Sequence, residues 1–158
     1  MVIGFYGSSY GLSEIQFETI INKIKELDVN EFRHTDTIGS VDIHEYIIMN
    51  KLSDKIVLYP PSDMSIRSFS AVTNIVEIKQ ENNLSQSIKS LCENLDLLII
   101  ANNEKDTVNS GTYACYDIGK KLNTKIMIIT ENGSLLHWPN IKNKGIKNGT
   151  NSGSKEIN

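Results

Sequence analysis

Basic character is what the chain most plainly lacks. Its 16 Lys and Arg stand against 19 Asp and Glu, a formal net charge of −3. A protein built to hold nucleic acid usually carries a basic surface, so nucleic acid is not an expected partner. Cysteine is nearly absent too. Cys92 and Cys115 are too few and too far apart for a disulfide framework or a zinc site. Both read as small buried residues in a reducing compartment, and no metal or other cofactor is expected. Long apolar runs are missing: the longest, Leu95 to Ala101 with Asp96 inside it, is far too short to span a bilayer. No basic, long apolar, small-residue leader opens the chain. The expectation is a cytoplasmic protein without a membrane association. The chain also carries no Ser-His-Asp order, no HExxH, no P-loop and no CxxC.

What is there is the balance of a globular domain: 158 residues, 39% hydrophobic and 22% charged. Val2 to Tyr6 is a β-prone run ended by Gly7-Ser8-Ser9, a first buried strand. Ser13 opens a helix whose face is Phe17, Ile20, Ile21, Ile24 and Leu27. Asn30 to His34 reads as a second strand, Val41 to Leu52 as a helix, and Lys55 to Tyr59 as a third strand stopped by Pro60-Pro61. The stretch from Ser62 to Gln80 is irregular, with a short extra strand at Asn74 to Ile78. Leu84, Ile88, Leu91, Cys92 and Leu95 share a helical face, and Asp96 to Ala101 is a fully buried strand. Ser110 caps a helix with Cys115, Ile118, Gly119 and Leu122 inward, and Lys125 to Thr130 is the last core strand. The alternation predicts an α/β fold: a Rossmann-like, doubly wound, mainly parallel sheet of about five strands with helices on both faces. The domain is expected over residues 1–136. Residues 137–158, rich in Lys, Asn, Gly and Ser, read as a disordered tail.

In such a sheet ligands bind outside the carboxyl ends of the strands. The loops leaving those ends carry Gly7-Ser8-Ser9-Tyr10-Gly11, Thr35 to Ser40, Pro60 to Asp63, and Asn109-Ser110-Gly111-Thr112. The last is the most informative: small residues let amides approach an anion at a helix N-terminus. The first loop does not match G-x-G-x-x-G, and the second strand ends in His34 rather than an acid, which disfavours ordinary NAD binding. His34 and Asp36 sit where a ligand would, the first as an acid, the second on a ribose hydroxyl. His44 reads as structural, His137 has no visible partner, and Arg67, one of only two arginines, suits a phosphate.

Four segments in the same order resemble small SLOG-superfamily proteins. Gly4-Phe5-Tyr6-Gly7-Ser8 with Gly11-Leu12-Ser13 is similar to their G-F-T-G-[ST] and G-[ML]-[ST]. Arg33-His34-Thr35-Asp36-Thr37-Ile38-Gly39-Ser40-Val41-Asp42 is similar to their H-H-G-D-C-I-G-A-D segment. Val57 to Pro61 with Arg67-Ser68-Phe69 resembles their V-x-H-P-P…R-x-F, and Asp96 to Ile99 with Ser110-Gly111-Thr112-Tyr113 resembles D-L-L-I-A…S-G-T-W. That superfamily holds the lonely-guy phosphoribohydrolases, the DNA-processing DprA proteins and ligand-sensing domains of defence systems. The resemblance implies a Rossmann-like protein, a homodimer, that binds a nucleotide or nucleotide-derived small molecule. Gly7, Ser8 and Ser9 would line its base or ribose, Asp36 and Gly39 the ribose side, Arg67 a terminal phosphate, and Ser110, Gly111 and Thr112 the phosphate. The alternative is a nucleotide N-glycosidic hydrolase or transferase, with Asp36 and His34 catalytic. Against it, the glutamate of the lonely-guy P-G-G-x-G-T-x-x-E motif has no counterpart after Gly111-Thr112, and the carboxylate of deoxyribosyltransferases is displaced to Asp117.

Overall fold

The computed structural model describes residues 1–139. Its elements are β1 (Val2–Gly7), α1 (Glu14–Lys25), β2 (Glu31–His34), α2 (Val41–Asn50), β3 (Lys55–Leu58), β4 (Val76–Ile78), α3 (Leu84–Cys92), β5 (Leu97–Ala101), α4 (Gly111–Lys121), β6 (Ile126–Ile129) and β7 (Leu135–Trp138). They form one seven-stranded sheet in the order β4-β3-β2-β1-β5-β6-β7. Every neighbouring pair is parallel except β6 with β7. With β4 set aside as an added edge, this is the doubly wound Rossmann order, which reverses direction between β1 and β5.

The sheet is wider than the expected five strands by β4 and β7. Both are edge strands of three and four residues, partly exposed along their length. An edge needs no continuous apolar run, so the signal that marks β1 and β5 is weak there. The expected boundary between domain and tail at residue 136 falls inside β7, which takes in His137 and Trp138. The expected tail beyond residue 139 lies outside the described residues.

β5 shows why its sequence is unbroken. Leu97, Ile99 and Ala101 join the core beneath α1 and α2, with Ile3, Phe5, Ile20, Phe32, Ile43 and Ile47. Leu98 and Ile100 turn to the other face, beneath α3 and α4, with Tyr6, Ile88, Leu91 and Cys115. A strand covered on both sides has no polar face to spare. Gly119 lets α4 lie close: a Cβ there would stand 2.8 Å from Leu98 Cδ2 and 3.0 Å from Ile126 Cδ1. α1 starts in a reciprocal cap, Ser13 Oγ accepting from Gln16 N while Gln16 Oε1 accepts from Ser13 N. No helix among the described residues is long and apolar enough to cross a membrane.

Candidate functional site

The sheet order reverses between β1 and β5, and the loops after β1, β2 and β5 touch one another at the carboxyl ends of those strands, whereas Pro60 to Asp63 follows β3 and bonds the stretch before α3. β1 ends on Gly7, and the turn Ile38–Ser40 at the head of α2 is pressed against it. A Cβ on Gly39 would lie 2.6 Å from both Gly7 Cα and Ser8 O, so only glycine permits this approach. Gly7 and Gly39 therefore face each other. Ser8 is buried as well: its amide donates to Ala101 O at 2.9 Å, and its hydroxyl donates to Asp106 Oδ1 at 3.0 Å while accepting from Tyr10 N. Of the Gly7-Ser8-Ser9 run only Ser9 is exposed.

Asp36 and Arg67 were expected to hold different parts of a ligand, and instead they hold each other. Arg67 Nε and Nη2 donate to Asp36 Oδ2 at 3.2 and 3.0 Å, and Ser70 N donates to Oδ1 at 2.9 Å. The Asp36 carbonyl accepts from Ser68 N, and Thr37 bridges Arg67. Asp36 is wholly buried and sits in the left-handed region, φ 58°. Burial pushes its carboxyl up, but hydrogen bonding from Ser70 and then Arg67 outweighs this and leaves it below the ordinary carboxylate value. One residue at the end of β2 thus pins the segment 67–70.

His34 is buried in the same knot, not presented to solvent as an acid. Its Nδ1 accepts from Asp36 N at 3.0 Å, which makes Nε2 the protonated nitrogen. Nε2 then donates to His44 Nδ1 at 2.8 Å, and His44 Nε2 donates to Ala71 O at 2.7 Å. Each nitrogen has one role, and both rings are neutral. Burial, then His44, pushes His34 down to about 3. Burial also lowers His44. The pair is a strut from β2 through α2 to the loop after β3, and N-glycosidic chemistry finds neither of its expected groups exposed.

The start of α4 is different. Ser110 stands at the N-cap, but its hydroxyl turns back to accept from Thr107 N at 2.8 Å, so it does not cap the helix. The first helical bond is Ala114 N to Ser110 O. The amides of Gly111, Thr112 and Tyr113 find no acceptor among the described residues. Ser13 and Asn83 do cap α1 and α3. Thr112 is 3% exposed, and its Oγ1 has no partner among the described residues. Tyr6 comes up from β1 against Gly111, where a Cβ would meet its Cζ at 2.6 Å. Burial raises the Tyr6 hydroxyl far above the ordinary value, with Cys115 and Asp106 adding to it. Asp106, which the sequence did not single out, is the anion of this corner, its Oδ2 accepting from Asn103 N at 2.7 Å.

Two clefts lie nearby. One of about 290 Å³ is at the ends of β5 and β6, lined by Asn102, Glu104, Thr130, Glu131, Asn132 and Ser134. One of about 530 Å³ runs between α1 and α2 past Glu14, Phe17, Asp42, Glu45 and Tyr46, and its three carboxylates repel an anion. Cys92 and Cys115 are buried free thiols 3.7 Å apart. His137 is exposed on β7. Among the described residues no three His, Cys, Asp or Glu are grouped to hold a metal ion. Comparison with known proteins gives no match, whether with family models, curated proteins or solved structures.

Proposed function

We propose that the protein binds a phosphate-bearing, nucleotide-type small molecule at the carboxyl ends of β1 and β5. The phosphate rests on the amides of Gly111, Thr112 and Tyr113, beside the hydroxyls of Ser110 and Thr112. The observation that carries this reading is the uncapped start of α4 at the point where the sheet reverses: three donors and the positive end of a helix dipole without an acceptor, next to a buried hydroxyl without a partner. The loop from Asn103 to Asn109 leads into this seat and is tied to the end of β1 by the bond from Ser8 to Asp106. The resemblance to SLOG proteins supports the same seat, and their habit of self-association supports a homodimer. Binding is favoured over cleavage because Asp36 and His34 are committed to the fold.

A panel of nucleotides in a thermal-shift assay tests this. A ligand at about 100 times its dissociation constant adds about 2.7 kcal/mol of stability. Thr112→Val should stabilise the ligand-free protein by about 1 kcal/mol, since it removes a buried unpaired hydroxyl, and weaken binding several-fold. If no nucleotide raises the melting temperature, the reading fails.

A further inference from the structure

The segment pinned by Asp36 ends in a feature that folding alone does not call for. Phe69 is an aromatic residue in the left-handed region, φ 52°, and 54% of it is exposed. Left-handed backbone is costly for any residue with a side chain, and a bulky residue there is uncommon. Exposure of half a phenyl group forfeits the burial that would offset the cost. Yet the conformation is enforced from both sides. Ser68 N donates to the Asp36 carbonyl and Ser70 N to its carboxylate, so the residues flanking Phe69 are tied to one buried anchor. Behind the ring, the Arg67 guanidinium stands 4.6 Å from its centroid and is itself fixed to Asp36. One ring face is backed by a cation, and the ring is held, half exposed, on the segment tied to Asp36 at the carboxyl end of β2.

We propose that Phe69 is a stacking platform for the planar, nitrogen-containing ring of the ligand. This rests on the reading of the α4 start as the phosphate seat. β2 and β5, the strands from which the two segments lead, are two strand spacings apart, about 10 Å. A ligand that spans the two passes Ser9, the exposed residue of the loop after β1, with its phosphate on α4 and its base on Phe69. The structural elements have separate duties: Asp36 positions, Arg67 stiffens and backs the ring, and Phe69 touches the ligand. The platform reads a flat aromatic face rather than a hydrogen-bonding edge, so it selects for the presence of a base and discriminates little among bases.

The test compares the wild type with Phe69→Ala, Phe69→Trp and Phe69→Gly in the full chain. Binding is measured by calorimetry with the four common ribonucleoside 5′-monophosphates and with ribose 5-phosphate. The expected result is that Phe69→Ala loses about 10-fold or more in affinity for the nucleotides, leaves ribose 5-phosphate unchanged, and that Phe69→Trp restores nucleotide binding. Phe69→Gly, which relieves the left-handed backbone, is expected to melt no lower than the wild type. Equal loss for nucleotides and ribose 5-phosphate, or no loss for either, overturns the platform and leaves the phosphate seat standing. A lower melting temperature for Phe69→Gly makes the ring a structural contact and likewise overturns it. If the wild type binds neither nucleotide nor ribose 5-phosphate, the phosphate seat fails and the platform falls with it.

Discussion

Replacing Arg67 by Met separates a structural arginine from a ligand-binding one. Met keeps an apolar stem beside Phe69 and removes the guanidinium. Asp36, fully buried, then keeps the Ser70 amide but loses both bonds to Oδ2. Breaking a buried pair by removing one partner costs about 3–5 kcal/mol. The Arg67 side chain is 15% exposed, so water relieves a part, and we expect about 3 kcal/mol, a fall in melting temperature of about 10 °C. The deficit should depend on pH. Without its cation, the Asp36 carboxyl rises from its lowered position, so the folded variant takes up its proton at a higher pH than the folded wild type does. The deficit relative to the wild type is therefore full at pH 7 and shrinks as the pH falls through the range where only the variant is protonated. Asp36→Asn combined with Arg67→Met should recover much of the loss, because no charge is left unpaired. Urea unfolding followed by far-ultraviolet circular dichroism at two pH values measures all three. A loss below about 1 kcal/mol at pH 7, together with abolished ligand binding, would refute the reasoning and return Arg67 to the ligand.

The neutral histidine pair makes the fold acid-sensitive. With His34 held near 3 and His44 lowered, the unfolded chain binds protons below about 6.5 that the folded chain refuses, so stability falls with pH by up to about 1.4 kcal/mol per unit for each histidine. A flat urea midpoint between pH 7 and 5 would contradict the strut. Gly39→Ala sets a methyl group against the backbone of Gly7 and Ser8, which cannot yield as a side chain would. We expect a loss of about 3 kcal/mol, and a variant as stable as the wild type in urea would show that the two loops are not in contact. Asp106→Asn keeps an acceptor for Ser8 and removes the negative charge beside the start of α4. Inorganic phosphate should then bind several-fold more tightly by calorimetry, whereas unchanged or weaker binding would place the phosphate elsewhere.

Much of the architecture was legible because burial leaves a local mark. β5 is apolar without interruption because both its faces are covered, and α1 announces itself through Ser13, Gln16 and the spacing of Ile20, Ile21 and Ile24. β7 was not legible as a strand, since a short edge with Leu136 and His137 exposed needs no pattern. At the candidate site, the pairing of side chains across the loops was not legible. Asp36 and Arg67 are 31 residues apart, and no local rule joins them. His34 and His44 did carry a signal. His34 shares a face of β2 with Phe32, and His44 lies between Ile43 and Ile47 on the buried side of α2, so periodicity directs both inward. Whether Ser110 turned towards its helix or away from it depended on Thr107, and the partner of Asp106 is Ser8, almost a hundred residues earlier.

The amide spectrum of ¹⁵N-labelled protein, titrated with inorganic phosphate and with a nucleoside monophosphate, addresses the central claim most directly. The account predicts that the amides of Gly111, Thr112 and Tyr113 shift together and saturably, because an anion accepts from all three. The Gln16 amide of α1, which Ser13 Oγ already accepts, should stay in place. Saturable binding that leaves Gly111 to Tyr113 unmoved, or no binding at all, would contradict it.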